Sequence, residues 1–284
     1  MVNWTDSHNH LQFFPPDEVA GALAAMAAAG VTRGVVNATS EADWAAVAAL
    51  AGRWPERVLP AFGVHPWWVP EVTAGWQDRL RELLENNPLA SVGECGLDRR
   101  RGRADLGLQR AVFKDQLRLA RDLGRTVSIH CVKAWGELLE ALAATGPPPK
   151  FLMHSYGGSL EVARRLVPLG AYFSVSANLF ERSREGVLDV FRQLPRDRLL
   201  VESDAPQRPG QAAIEGRSPA DLPATGKVLA EALGMAVADL AALTENNARE
   251  CWPGGWFGPG ESPRSCAGGC VPRGGPDAVE SHRR

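Results

Sequence analysis

The stretch Trp4–His10, WTDSHNH, sets Asp6, His8 and His10 at alternate positions of a short run that reads as a β-strand. All three side chains then leave the same side of that strand, a placement that lets two imidazoles reach one ion. The same kind of ending recurs along the chain. AFGVHP carries His65, SVGECGLD carries Glu94, VSIHC carries His130, FLMHSY carries His154 and LLVESDAP carries Asp204. An apolar run of four to eight residues is the mark of a buried strand. A titratable group where such a strand ends is costly unless hydrogen bonds or a metal satisfy it. Five of the six histidines obey this pattern, and the sixth, His282, falls in the C-terminal tail. Seven such residues repeated along one chain point to a metal centre at the mouth of a parallel barrel.

Between these runs lie Ala/Leu-rich, helix-like stretches. Strands are expected near 3–9, 31–38, 58–64, 89–94, 126–131, 150–154, 170–176 and 199–203. Helices are expected near 17–29, 41–53, 74–86, 105–123, 134–144, 159–168, 184–193, 219–233 and 236–249. Eight strands alternating with helices give the α/β class and the (β/α)8 TIM barrel, which usually takes about 250 residues. A doubly wound open sheet gives the same alternation. The barrel is favoured because the repeat count is eight, and because candidate ligands end strands one, three, four, five, six and eight. Strands at opposite edges of an open sheet cannot converge on one point.

The 284 residues, 45% of them hydrophobic, suffice for one large domain or two small ones. A net charge of −2 argues against a globally basic nucleic-acid binder and leaves a local basic patch open. No run approaches the length of a membrane span. The polar N-terminus enters the first motif at once and has no signal-peptide pattern, so a cytoplasmic location is expected. Five cysteines without a disulfide framework fit reduced thiols. Cys95 and Cys131 adjoin Glu94 and His130 and should pack in the core; Cys266 and Cys270 are too little for a zinc site. From about residue 251 the composition turns Gly/Pro/Arg-rich, so the domain is expected to span 1–250 and a disordered tail 251–284.

Taken in order, D-S-H-x-H, G-V-H-P, G-E-C-G-L-D, S-I-H-C, H-S-Y-G-G and E-S-D-A-P resemble the TatD family of metal-dependent hydrolases, within the amidohydrolase-like barrels. The resemblance covers about residues 3–250. It implies a site for two divalent ions (zinc, magnesium or manganese). His8, His10 and Asp204 would hold the first, Glu94 would bridge, and His130 and His154 would hold the second. Two such ions generate a hydroxide near neutral pH. Asp204 would then act as general base. His65 would contact substrate or transition-state charge rather than metal. The implied activity is that of a deoxyribonuclease working from a 3′ end, with single-stranded or end-accessible DNA as partner. No obligate protein partner is implied.

Several positions depart from the family's usual pattern. Arg99 stands where relatives often carry an aromatic residue after G-L-D. It begins the run Arg99, Arg100, Arg101, Gly102, Arg103, whose guanidiniums suit phosphate. Lys133, in H-C-V-K-A-W-G, offers a point charge where H-x-R is common. Trp67 and Trp68 follow G-V-H-P, where another histidine is frequent, and either stack bases or pack. The family's N-x-R-x-F ending is altered to Asn247–Cys251. Asp6 and Glu202 read either as carboxylates that orient a ligand histidine or as ordinary polar residues of their strands. Two rival readings are a hydrolase of a small ester, lactone or amide, and a non-catalytic barrel acting as an interaction protein. Glu94 in the bridging place, where many such amidohydrolases use a carboxylated lysine, argues against the first. The full ligand set argues against the second.

Overall fold

A computed structural model describes residues 2–101, 104–206, 218–252 and 256. Arg103 and residues 257–284, with Cys266, Cys270 and His282, lie outside the described residues. The order is β1 (Trp4–Asn9), α1 (Val19–Ala28), β2 (Val31–Asn37), α2 (Trp44–Arg53), β3 (Val58–Phe62), α3 (Trp76–Asn86), β4 (Ser91–Asp98) and α4 (Leu106–Asp122). It continues with β5 (Val127–Val132), α5 (Trp135–Thr145), β6 (Phe151–Met153), α6 (Leu160–Leu166), β7 (Ala171–Val175), α7 (Ala177–Gln193), β8 (Leu199–Val201), α8 (Leu222–Leu233) and α9 (Val237–Cys251). Every neighbouring pair of strands is parallel, in the order β1 to β8. The first and last strands come together as well. Ser7 Oγ donates to Val201 O at 2.9 Å, Asp204 N to His8 O at 3.0 Å and His10 N to Ala205 O at 3.1 Å. The result is the expected TIM barrel, nearly closed.

The helices follow from local chemistry. Trp76, Leu80 and Leu84 recur every fourth residue on α3 and are its buried face. The Asp105 carboxylate accepts Leu108 N–H and caps α4, and Ser159 caps α6 through Val162 N–H. The helices pack on the outer faces of the strands in one large apolar cluster that includes Trp4, Met26, Phe62, Phe113, Phe151 and Phe173. A second cluster takes Val35, Leu59, Ala61, Leu152, Tyr172 and Leu200 together with Cys251, Trp252 and Trp256. Leu152 and Leu200 stand two residues before His154 and Glu202, so this cluster underlies the site. Thr126 Oγ1 donates to Cys251 O at 2.6 Å, and Asn247 Nδ2 to Leu199 O at 2.8 Å, so α9 and the residues after it seal the N-terminal ends of the strands.

Three boundaries differ from expectation. β4 runs on to Asp98 rather than ending at residue 94. Its glycines let β4 lie close against β5. A Cβ on Gly96, at φ +144, would sit 1.9 Å from His130 O, so only glycine keeps that approach. Helix α7 begins at Ala177 and breaks at Ser183. Cys251, Trp252 and Trp256, which composition assigns to the tail, are buried. A window rich in Gly and Pro hides two indoles whose burial is decided by the barrel floor beneath them.

Candidate metal centre

Seven side chains from six strands and the turns after them meet at the C-terminal end of the barrel. His8 and His10 come from β1 and its end, His65 follows β3, Glu94 lies within β4, His130 is on β5 and His154 follows β6. Asp204 follows β8. All are buried except Asp204 and His130, which are partly so. The backbone turns hard where three of these strands finish. Lys133, Ser155 and Asp204 take left-handed conformations at φ 54, 44 and 50. Such conformations cost non-glycine residues on the order of 1 kcal/mol or more and collect at functional sites.

Glu94 is the centre of the arrangement. Its Oε2 lies 3.3 Å from His8 Nε2 and 3.5 Å from His10 Nε2. Its Oε1 lies 2.9 Å from His154 Nε2, 3.1 Å from His130 Nδ1 and 3.4 Å from His65 Nε2. His10 Nε2 is 3.6 Å from Asp204 Oδ1 and 3.3 Å from His8 Nε2. The far nitrogens of three rings are committed elsewhere. His10 Nδ1 faces Asn37 O at 2.8 Å, His154 Nδ1 faces Glu202 Oε1 at 3.3 Å and His130 Nε2 faces Asp98 Oδ2 at 3.3 Å. A carbonyl and two carboxylates only accept, so these partners favour protons on the outer nitrogens. With the outer nitrogens protonated, the inner nitrogens of neutral rings are lone pairs beside the oxygens of Glu94 and Asp204. Acceptors crowded this closely need positive charge among them. Imidazole and carboxylate are the donor set of zinc and related divalent ions. His8, His10 and Asp204 form one group able to hold a metal.

The titration directions agree with that need. Burial opposes charge on Glu94, yet the surrounding imidazoles, His65, His154 and His8 foremost, hold it well below the usual carboxylate range. Burial likewise opposes charge on Asp204, and the hydrogen bond from His10 with the nearby His154 and His8 holds it low. His154 is held well above the ordinary histidine value, since Glu94 and Glu202 outweigh its burial. Hydrogen bonding to Asp204 raises His10 in the same way, against its burial. Protons would occupy this pocket where cations do not.

His65 is different. Its Nδ1 accepts the Trp67 backbone N–H at 3.1 Å, so the neutral ring carries its proton on Nε2 and donates toward Glu94. Burial pushes its pKa down to about 3, which keeps the ring neutral. Although His65, Glu94 and His130 also lie within metal-binding reach of one another, this tautomer makes His65 a donor rather than a ligand.

The remaining expected residues sort as follows. Glu202 is fully buried, accepts from Ser174 Oγ and holds His154 by Nδ1. Asp6 touches no imidazole and instead accepts from Ser203 and from the His8 backbone. Arg99 pairs with Glu137 of α5, and its Nε donates to Lys133 O at 3.1 Å. Arg100 and Lys133 are exposed at the ends of β4 and β5. The Arg101 guanidinium lies 5.9 Å from the Trp67 ring. Trp67 binds Asp98 Oδ2 through its indole N–H at 2.8 Å, while Trp68 packs against the core. Two contributors went unread in the sequence. Asp98 Oδ2 faces His130 Nε2 at 3.3 Å, and Asn178 donates to Asp204 Oδ2 at 3.2 Å. Asp98 had a faint signal, standing four residues after Glu94 and thus on the same side of its strand. Asn178 had none.

No helix among the described residues is long and apolar enough to cross a membrane. The uncharacterized metal-dependent hydrolase TatD of Mycobacterium tuberculosis is 30% identical over 261 residues, covering 89% of this chain and 98% of that protein. A 3′-5′ ssDNA/RNA exonuclease TatD from Erwinia tasmaniensis is 29% identical, covering 78% of this chain and 88% of that one. Among solved structures, the TatD homolog YJJV of Escherichia coli superposes with a TM-score of 0.80 at 28% identity, over 88% of this chain and 98% of that one. The sequence model of the TatD related DNase family matches residues 5–253, from β1 to beyond α9, and the chain belongs to that family of metal-dependent hydrolases.

Proposed function

We propose that this hydrolase cleaves phosphodiester bonds of nucleic acid, as a 3′-5′ exonuclease on single-stranded or end-accessible DNA. The observation that carries the reading is the convergence of the inward nitrogens of His8, His10, His130 and His154 on the two oxygens of Glu94. The names of relatives as 3′-5′ ssDNA/RNA exonucleases support the substrate class. In this reading His8, His10 and Asp204 would hold one divalent ion and His130 and His154 a second, with Glu94 available to both. Such ions would supply a water that ionises near neutral pH and charge to offset the phosphoryl oxygens. Asp204, ionised and steadied by Asn178, accepts the proton of the attacking water. His65 donates its Nε2 proton as a hydrogen bond to a phosphoryl oxygen. Arg100 and Lys133, exposed on the same face, draw in the anionic chain. Arg99 contributes less, because Glu137 already matches its charge.

The test is a time course on a 3′-labelled single-stranded oligonucleotide, using metal-stripped protein with magnesium, manganese or zinc restored. Stepwise shortening from the 3′ end that needs metal and disappears in Asp204→Ala is the expected result. A folded, metal-loaded protein that leaves the oligonucleotide whole but cleaves a small carboxylic ester would overturn the reading.

A further inference from the structure

We infer that Asp98 is a positioning residue that fixes which nitrogen of His130 faces Glu94 and folds the arginine-bearing loop onto the site. The inference rests on the metal-centre reading for its consequence, though not for its geometry. Asp98 ends β4 and is 2% exposed. Four donors converge on its carboxylate. Oδ2 takes the Trp67 indole N–H at 2.8 Å and faces His130 Nε2 at 3.3 Å. Oδ1 takes the backbone N–H groups of Arg100 and Arg101, each at 2.8 Å. Buried Gln109 of α4 clamps the same residue's backbone. Its Oε1 accepts Asp98 N–H at 2.8 Å, and its Nε2 donates to Asp98 O at 3.2 Å and to Ala104 O at 2.9 Å.

The consequence is chemical. A neutral imidazole has two tautomers, and only the one protonated on Nε2 turns a lone pair on Nδ1 toward Glu94 Oε1, 3.1 Å away. A carboxylate facing Nε2 stabilises that tautomer and holds the ring's angle, since it accepts and never donates, against the pull of Glu94 on the other nitrogen. Trp67 shares the same oxygen and packs edge-on against His65, with ring centroids 5.0 Å apart. One carboxylate thus ties the turn after β3, the loop after β4 and the ring on β5 into a single piece. Replacing such a partner of a metal-binding histidine commonly weakens the metal about 10–100-fold.

Asp98→Asn tests this. The amide keeps the shape but offers one acceptor oxygen, so either the two backbone N–H groups or the Trp67 and His130 donors face an NH₂. Long-range 15N–1H spectra of the metal-free protein at alkaline pH read the His130 tautomer directly, and titration with zinc against a chromogenic chelator reads each ion's affinity. The expected result is a larger Nε2-protonated share of His130 in the wild type than in Asp98→Asn. One zinc affinity falls about 10–100-fold, while the other changes less than threefold. Trp67→Phe, which removes only the indole donor, should leave the His130 tautomer unchanged. Unchanged tautomer and affinities in a folded Asp98→Asn protein would overturn the inference. A wild type that binds no zinc would instead overturn the metal-centre reading, and the tautomer spectra would still decide whether Asp98 holds His130.

Discussion

The carboxylate of Asp6 takes both the backbone N–H and the hydroxyl of Ser203, at 2.9 and 2.6 Å, and so ties the first strand of the barrel to the turn after the last. The same turn presents Asp204 to His10 one residue later. Closure of the barrel and placement of the proposed general base are thus one structural event. Ser203→Ala removes a hydroxyl from a fully buried carboxylate, which should cost about 1.5–3 kcal/mol. Urea unfolding compared with the wild type checks this, and the variant's activity should fall as well.

The pH dependence of Asp6 has a definite sign. Burial pushes its carboxyl up to about 7, against the hydrogen bonds from Ser203 that pull it down. A folded-state value above the unfolded one means that its contribution is fully present below about pH 4 and is lost as pH rises to about 7. Asp6→Asn does not titrate. The stability of metal-free wild type relative to metal-free Asp6→Asn should therefore fall by on the order of a few kcal/mol between pH 4 and 8. Denaturant curves across that range measure it, and a flat difference would rule the assignment out.

Metal loading should release protons. His10, His130 and His154 all sit above the ordinary histidine value, each because acidic partners outweigh its burial. A cation must displace the protons they hold. Calorimetric titration of zinc in buffers of different ionisation enthalpy should give net release near pH 6.5 that shrinks as pH rises, with affinity rising in step.

Glu202 is expected to matter without touching substrate. It is the partner of His154 Nδ1 and is itself held by Ser174. Glu202→Gln leaves the fold intact by circular dichroism but should weaken metal binding about 10–100-fold, read by chelator competition.

Gly96 is a steric requirement. A methyl group there would meet the His130 carbonyl at 1.9 Å, and backbone cannot step aside as a side chain can. Gly96→Ala should destabilise by on the order of 3 kcal/mol or more and displace β5 with its histidine. Thermal unfolding and zinc stoichiometry of the variant check both effects.

Much of this was legible in one dimension. Strand and helix rhythm is local, because burial on a barrel strand demands a short apolar run and burial on its outer helices demands a repeat near four. A charged group ending such a run is a local anomaly, so His8, His10, His65, His130, His154 and Asp204 stood out before any contact was known. Glu94 stood out too, although it lies inside β4 rather than at its end. What remained hidden were relations between distant positions. Asp98 meets Trp67 and His130 across 31 and 32 residues of chain, and Arg99 meets Glu137 across 38. Trp252 and Trp256 looked like tail until the barrel floor gave them a surface to cover. The sequence by itself determined the periodicity, the barrel and the titratable residues that meet in its mouth, because each leaves a mark among the nearest few neighbours. Only the tertiary structure decided which nitrogen of each ring faces inward and that Arg99 spends its charge on Glu137, because those follow from partners that meet only once the barrel has closed.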